Sequence, residues 1–143
     1  MFRLRLVANG PTPTATSHKY GGPLNKRLLI LVVDDEPDIT ETYAMFLELY
    51  GYEVLTANDP VEALEVMTTR LPDLIISDCM MPHMDGVEFS VRVKANPDSR
   101  PIPIILMSGA PELHNLGSPT YELFLRKPVL FDRLMPEIRR LLG

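Results

Sequence analysis

Five polar side chains of this 143-residue chain stand at the ends of four short, mainly apolar runs. Two acids follow the first run, one acid follows the third run, a serine follows the fourth run and a lysine follows the fifth run: Asp34, Asp35, Asp78, Ser108 and Lys127. Carboxylate oxygens are ligands that Mg²⁺ prefers. An ionised carboxylate beside such an ion, with an ammonium and a hydroxyl nearby, can attack phosphorus and form an acyl phosphate. If the five side chains meet, they predict Mg²⁺-assisted acceptance of a phosphoryl group.

Three carboxylates gathered in one place need a compensating charge. Two like charges about 4 Å apart repel by roughly 4 kcal/mol at an effective dielectric of 20. A hard divalent cation removes this repulsion, so we expect millimolar Mg²⁺ to raise the melting temperature. The attacking carboxylate is already ionised and needs no general base, so His83 and His114 have no predicted catalytic role. We expect His83 to be exposed.

Strands and helices that alternate along the chain would bring these side chains together. Apolar runs rich in β-branched residues predict buried strands at 28–33, 53–57, 74–77, 102–107 and 122–126. Helical spacing and capping residues predict helices at 37–50, 59–71 and 86–95 and a last helix after residue 130. This alternation predicts a doubly wound α/β domain with a parallel sheet covered on both faces. Such sheets hold their sites at the carboxyl ends of the strands.

The last helix contains a proline, Pro136, within its apolar stripe. A proline inside a helix costs roughly 3 kcal/mol because it removes a hydrogen bond and clashes with the preceding turn. If Asp132 caps this helix, Pro136 falls near the first turn and costs less.

The chain joins two segments of opposite charge. Residues 1–27 contain five basic and no acidic residues and several turn-forming Gly and Pro steps, whereas the remaining nine bases and 19 acids leave a net charge of −10. We predict a flexible N-terminal extension at 1–27 and one domain at 28–143. The overall charge of −5 argues against charge-driven nucleic-acid binding. No apolar run approaches the roughly 18 residues of a membrane span, and the single Cys fits a reducing compartment.

Four segments, in this order and spacing, resemble the receiver domain of bacterial two-component response regulators. They are Val32–Glu36, Ser77–Gly86, Met107–Ala110 and Leu125–Pro128. The resemblance covers residues 28–143 and implies a flavodoxin-like, five-stranded sheet of order 2-1-3-4-5. It also implies a cytoplasmic signalling protein that accepts phosphate and loses it by self-catalysis, not an enzyme with a separate substrate.

The resemblance assigns the acidic residues their roles. Asp78 is the implied phosphoacceptor, and Mg²⁺ is the implied cofactor. Its implied ligands are Asp34, Asp35, Asp78 and the backbone carbonyl of Met80. Because Met80 is bulky and apolar, it cannot orient a water as an amide might, so we expect slow to moderate autodephosphorylation.

The resemblance also assigns the residues around the phosphoryl group. Ser108 is the implied switch hydroxyl, and Lys127 pairs with the phosphoryl oxygens. Gly109 leaves the phosphoryl pocket open, and the peptide between Lys127 and Pro128 is expected to be cis, which an X–Pro bond tolerates. Phe124 takes the place of a rotating aromatic switch. It lacks a hydroxyl, so it can signal only by packing; an ordinary core aromatic is the alternative.

The implied phosphodonor is a phosphohistidine on a sensor histidine kinase or a phosphotransfer protein. The output partner is not specified, and neither direct nucleic-acid binding nor a membrane is implied. Only 19 positions separate Ser108 from Lys127, and the segment 111–119 has helix breakers at both ends. We therefore expect a short or irregular fourth helix and no transfer of the family's usual dimer face.

We expect a stand-alone receiver, because the chain ends just after the last helix. Three alternatives to this expectation remain. A receiver fragment of a larger DNA-binding response regulator would look the same. A Mg²⁺-dependent phosphohydrolase of the haloacid-dehalogenase type would need an Asp two residues after its nucleophile. Glu36 lies two residues after Asp34, and Met80 two after Asp78. A non-phosphorylated interaction module is disfavoured by the complete set of acids, Ser108 and Lys127.

Overall fold

A six-stranded sheet forms the centre of the domain. The computed structural model describes residues 3–5, 27–109 and 119–143. The strands are β1 Arg3–Arg5, β2 Leu29–Val33, β3 Glu53–Ala57, β4 Leu74–Asp78, β5 Ile104–Ser108 and β6 Leu123–Arg126. Their order in the sheet is β1-β3-β2-β4-β5-β6. Strands β2 to β6 are parallel to one another, and β1 is antiparallel to β3. The five parallel strands therefore follow the predicted order 2-1-3-4-5.

Four helices cover the sheet in the described part of the chain. They are α1 Pro37–Leu49, α2 Pro60–Thr69, α3 Gly86–Ala95 and α4 Phe131–Leu142. Local sequence explains where α2 begins. The Asp59 carboxylate accepts the Glu62 N–H at 2.7 Å, and the Glu62 carboxylate accepts the Asn58 N–H at 2.6 Å. This reciprocal cap satisfies the Glu62 N–H, which the first helical turn leaves unpaired, and the Asn58 N–H just before the helix.

The buried faces of the sheet form two cores, one on each side. Leu31 and Val33 of β2 pack with residues of α2 and α3, whereas Ile30 and Val32 pack with residues of α1 and α4. All five residues of β2 are buried. A strand that is covered on both faces must be apolar at every position, so the predicted doubly wound α/β fold is confirmed.

Two features of the fold differ from the sequence-based expectations. The short strand β1 lies in the segment that we predict to be an extension; three residues are too few for a strand period, and their partner is distant in sequence. The helix α4 begins at Phe131 after Leu130, so Asp132 lies in its first turn and is not the cap. Pro136 is consequently inside the helix. Because Pro136 is exposed, the carbonyl that loses its helical partner can reach water.

Two other expectations fall on residues that the structure does not describe. The predicted short or irregular fourth helix lies mainly at 110–118, which includes His114, and most of the predicted extension lies at 6–26. Among the helices of the described ranges, none is both long enough and apolar enough to cross a membrane.

Candidate functional site

The carboxyl ends of four neighbouring strands carry the predicted site residues. Asp34 directly follows β2, and its N–H donates to the Ala57 carbonyl at 3.1 Å. Asp78 and Ser108 are the last residues of β4 and β5. Lys127 follows β6, and its N–H donates to the Ser108 carbonyl at 2.8 Å. Backbone pairing of parallel strands thus places these residues at one edge of the sheet.

Three carboxylates form a cluster at this edge. Asp34, Asp35 and Asp78 each offer an oxygen, and these oxygens all lie within 4.8 Å of one another. Asp34 and Asp78 are buried, whereas Asp35 is exposed. The Lys127 ammonium lies 3.1 Å from Asp78 Oδ1 and 3.6 Å from Asp34 Oδ2. One ammonium thus faces three carboxylates, and the cluster keeps an excess of negative charge.

Burial raises the pKa of the Asp34 carboxyl above its ordinary value. The Glu36 N–H, which donates to Asp34 Oδ1 at 2.9 Å, acts against this rise. The charge of Asp78 adds to it, and the charge of Lys127 opposes it. The net rise means that the folded protein holds an ionised Asp34 at a cost.

For the Lys127 ammonium, burial and the neighbouring charges act on the pKa in opposite directions. Its partial burial lowers its pKa, but the hydrogen bond and charge of Asp78, together with Asp34, outweigh that effect and raise the pKa above its ordinary value. Lys127 therefore stays protonated at neutral pH and supplies a fixed positive charge next to Asp78.

The donor set of the cluster fits Mg²⁺. All three groups offer hard carboxylate oxygens, the kind of ligand that Mg²⁺ takes in proteins. Asp34 Oδ2 is buried and accepts no hydrogen bond from the described residues, although Lys127 lies nearby. A buried carboxylate oxygen without a donor is costly, and a cation would remove that cost.

The structure also locates the other predicted site residues. Ser108 is buried at the edge, and Gly109 beside it is exposed. A Cβ added at Gly109 would meet no heavy atom of the described residues within 4 Å. The peptide between Lys127 and Pro128 is cis, as expected. None of the described residues therefore fills the space next to Gly109.

Met80, Phe124 and His83 lie around this edge with different exposure. Met80 is 59% exposed in the loop after Asp78. Phe124 is half-buried against the core on the α2 and α3 side, with its ring centroid 6.2 Å from that of Tyr121. His83 is exposed, as predicted.

Gly86 has a role that the sequence analysis missed. A Cβ at this position would lie 2.8 Å from both the Asp78 carbonyl oxygen and Cys79 Cα, and 3.1 Å from Leu106 Cδ2. The Gly86 N–H also donates to the Cys79 carbonyl at 2.8 Å. The start of α3 therefore packs directly on the backbone of Asp78. The only sequence signal is a glycine after the capping Asp85.

Tyr43 of α1 is a second residue near the site that the sequence analysis did not assign to it. Its hydroxyl donates to Met107 Sδ at 3.5 Å. With Lys127 and Pro128 it lines a cavity of about 340 Å³ beside the carboxylate cluster. Burial is the main cause that raises the pKa of Tyr43, so the phenol stays protonated and polar in this cavity.

A family match decides what this arrangement represents. Residues 30–139 match the sequence model of the response regulator receiver domain. The chain belongs to the response regulator receiver family. It is thus a receiver domain of two-component signalling, and this family is a signalling family, not one of classical enzymes.

Curated relatives of this receiver are longer proteins. It is 42% identical over 86 residues to the phosphate regulon transcriptional regulatory protein PhoB of Pseudomonas aeruginosa, covering 60% of this chain and 38% of PhoB. It is 34% identical over 114 residues to the response regulator MprA of Mycobacterium leprae, covering 79% of this chain and 50% of MprA. The receiver thus spans half or less of these relatives' length.

Solved receiver structures share the fold over their whole length. The chemotaxis protein CheY4 of Vibrio cholerae aligns with a TM-score of 0.73 at 30% identity, covering 81% of this chain and 99% of CheY4. The response regulator TrrA of Thermotoga maritima, solved in complex with Mg²⁺ and BeF, aligns with a TM-score of 0.72 at 32% identity, covering 80% of this chain and 98% of TrrA.

Proposed function

We propose that Asp78 accepts a phosphoryl group from a phosphohistidine and that the phosphorylated receiver changes its partner binding. The observation that carries this proposal is the cluster of Asp34, Asp35 and Asp78, with the Lys127 ammonium 3.1 Å from Asp78 Oδ1. A buried nucleophile beside a fixed positive charge and two further acids suits phosphoryl transfer better than a purely structural ion pair.

The protein groups divide the work of this transfer. An Asp78 oxygen attacks phosphorus, the new O–P bond forms as the P–N bond of the phosphohistidine breaks, and the imidazole leaves. Lys127 neutralises phosphoryl oxygens, and the Ser108 hydroxyl donates a hydrogen bond to one of them. Asp34, Asp35, Asp78 and the Met80 carbonyl would hold Mg²⁺, which supplies further positive charge for the phosphoryl oxygens.

Ser108 and Phe124 are the proposed switch. They lie on the adjacent strands β5 and β6. Movement of Ser108 toward a phosphoryl group would favour one of two packing states of Phe124. Phe124 is half-buried, so the core does not enclose its ring completely, and without a hydroxyl it signals through packing alone.

The phosphodonor is a sensor histidine kinase or a phosphotransfer protein, and the receiver acts in the cytoplasm, as family membership supports. An exposed apolar surface beside the pocket is consistent with a protein donor. Leu130, three residues after Lys127, is 67% exposed, and Met45 and Leu49 of α1 are 59% and 80% exposed. Phe46 of α1 stacks on Phe131 of α4 with the ring centroids 4.2 Å apart, so α1 and the start of α4 meet here. A rate comparison across purified kinases would identify the donor.

The decisive experiment compares the wild-type chain with Asp78→Asn. With a small phosphodonor such as acetyl phosphate and Mg²⁺, the wild type should gain the mass of one phosphate, and Asp78→Asn should gain none. The Asp38→Asn variant is the matched control, because Asp38 is an exposed acid of α1 outside the cluster. A phosphate on both the wild type and Asp78→Asn would contradict the role of Asp78.

The output partner is proposed to be a protein. The domain at 28–143 carries a net charge of −10, which opposes direct contact with nucleic acid. PhoB is a transcriptional regulatory protein, so a DNA-binding output through a further domain is the second candidate. Partner capture with beryllofluoride-treated and untreated receiver would separate the two outcomes.

A further inference from the structure

The edge of β3 that faces away from β2 presents backbone groups for another strand. Toward β2, the Glu53 N–H donates to the Leu28 carbonyl at 2.9 Å, and the Ala57 carbonyl accepts the Asp34 N–H at 3.1 Å. Backbone groups of successive residues in a strand point to opposite sides. The N–H and C=O groups of Val54 and Thr56 therefore point away from β2.

The N-terminal strand β1 meets these groups. Arg3 lies opposite Thr56 and Arg5 opposite Val54 in antiparallel register. Opposed residues whose backbone groups face one another exchange both N–H···O bonds in an antiparallel ladder. The backbone N–H groups of Arg3 and Arg5 consequently donate toward β3, whereas that of Leu4, between them, points to the outer side.

The sequence of β3 lacks the features that protect an edge strand. Its five residues are Glu-Val-Leu-Thr-Ala, and the single charge stands at the first position. The other four residues are buried, and the strand has neither Lys nor Pro. An apolar edge of this length is a template for another chain.

When β1 pairs with β3, the outer edge of the sheet becomes β1, and a second chain can pair with β1 much less readily than with β3. The new outer edge is only three residues long. A very short edge strand is one device by which natural sheets stop edge-to-edge pairing.

We propose that the β3 edge is a docking surface for an extended strand, that β1 is its resident occupant, and that β1 thereby stops a second copy of this chain from pairing there. This proposal does not depend on the phosphoryl chemistry of the other strand ends, so either can fail alone.

The test uses the full chain with prolines placed in β1. The double variant Arg3→Pro/Arg5→Pro removes the two N–H donors that face β3. Leu4→Pro is the matched control for proline, because the N–H it removes points outward and edge strands tolerate such a proline. Arg3→Gln/Arg5→Gln is the matched control for charge, because it also loses two positive charges.

Two measurements read the result. At low protein concentration, hydrogen exchange should be at least about tenfold faster at the Val54 and Thr56 amides of the double proline variant than in the wild type and both controls. The Leu55 amide, which faces β2, should stay protected and so report that the sheet is folded. At physiological salt, which screens repulsion between acidic domains, sedimentation should show dimers of the double proline variant at rising concentration and monomers of the other three proteins.

Three results would overturn the proposal. Equal exchange at Val54 and Thr56 in the wild type and the double proline variant would show that β1 does not cover the edge. Faster exchange without any dimer would show that the edge does not pair with a second copy. Dimers of the glutamine variant as well would assign the effect to charge. If the double variant lost Leu55 protection, the single variant Arg5→Pro would take its place with the same readouts.

Discussion

At the scale of single residues, the site holds charge at a cost to stability. The Asp34 carboxyl has a raised pKa because it is buried and lies near Asp78, and only the Glu36 N–H and Lys127 act against that rise. The same burial that weakens the folded state would strengthen the attraction of Asp34 for a bound cation. The proposed metal-binding role and the stability of the metal-free protein therefore oppose each other at this residue.

Asp34→Asn should stabilise the metal-free protein at neutral pH. Asn keeps the oxygen that accepts the Glu36 N–H but removes the buried charge, and we expect Tm to rise by roughly 3 °C. The folded state binds the Asp34 proton more tightly than the unfolded state, so wild-type stability from this group is lost as pH rises through the raised pKa. The increase in Tm caused by Asp34→Asn should therefore become smaller as pH falls toward 3.8, the ordinary pKa of an aspartate side chain.

Calorimetry in the presence of a chelator across this pH range is the measurement. Asp98→Asn is the control, because Asp98 is exposed and lies outside the helices and the carboxylate cluster, and it should leave Tm unchanged. If the increase in Tm of Asp34→Asn did not vary with pH, or if this variant had a lower Tm than the wild type at neutral pH, the Asp34 charge would not destabilise the folded protein as we infer.

Met80 should control the lifetime of the acyl phosphate. It is 59% exposed and lies two residues after Asp78, and its thioether cannot hold an attacking water as an amide can. Met80→Asn should shorten the half-life of the phosphorylated protein several-fold. Met45→Asn, an equally exposed methionine of α1, should leave it unchanged. Equal decay of all three proteins would refute this account.

At the scale of elements, the packing of α3 on β4 positions Asp78. Gly86 allows the approach because a Cβ would meet the Asp78 carbonyl oxygen and Cys79 Cα at 2.8 Å, and both are backbone atoms that cannot rotate away. Gly86→Ala should therefore cost about 2 kcal/mol of unfolding free energy and slow phosphorylation of Asp78 by a small phosphodonor.

Gly109→Ala is the matched control for this substitution. Its Cβ would meet no described atom within 4 Å, so the unfolding free energy should stay within about 0.5 kcal/mol of the wild-type value. Denaturant unfolding of both variants measures the difference. Equal stability of the two would show that α3 can move away from Asp78 at no cost.

At the scale of the whole molecule, charge is distributed unevenly and the carboxylate cluster concentrates part of it. Mg²⁺ bound to the folded state alone would stabilise it by about 2.7 kcal/mol at one hundred times its dissociation constant. We expect Mg²⁺ to raise Tm by several degrees, Asp35→Asn to reduce this rise and Asp38→Asn to retain it. A Tm that does not respond to Mg²⁺ in a thermal-shift titration would count against a metal site at this cluster.

The sequence patterns determined the parallel strands, the helices around them and the residues at the strands' carboxyl ends, whereas the order of the strands came from the resemblance to receiver domains. These features depend on local patterns: apolar runs for β2 and β4, capping residues for α2 and α3, and a polar residue where each run stops. Parallel pairing then brings Asp34, Asp78 and Lys127 together without further information, because the strand ends share one edge.

Only the tertiary structure decided the features that depend on residues far apart in sequence. The strand β1 exists through its pairing with β3, some 50 positions later. The need for glycine at position 86 comes from the backbone of Asp78, and the rise in the Asp34 pKa comes from burial. The start of α4 before Asp132 puts Pro136 inside a helix whose apolar side packs on the sheet. Each depends on distances and exclusion of water that no local pattern encodes.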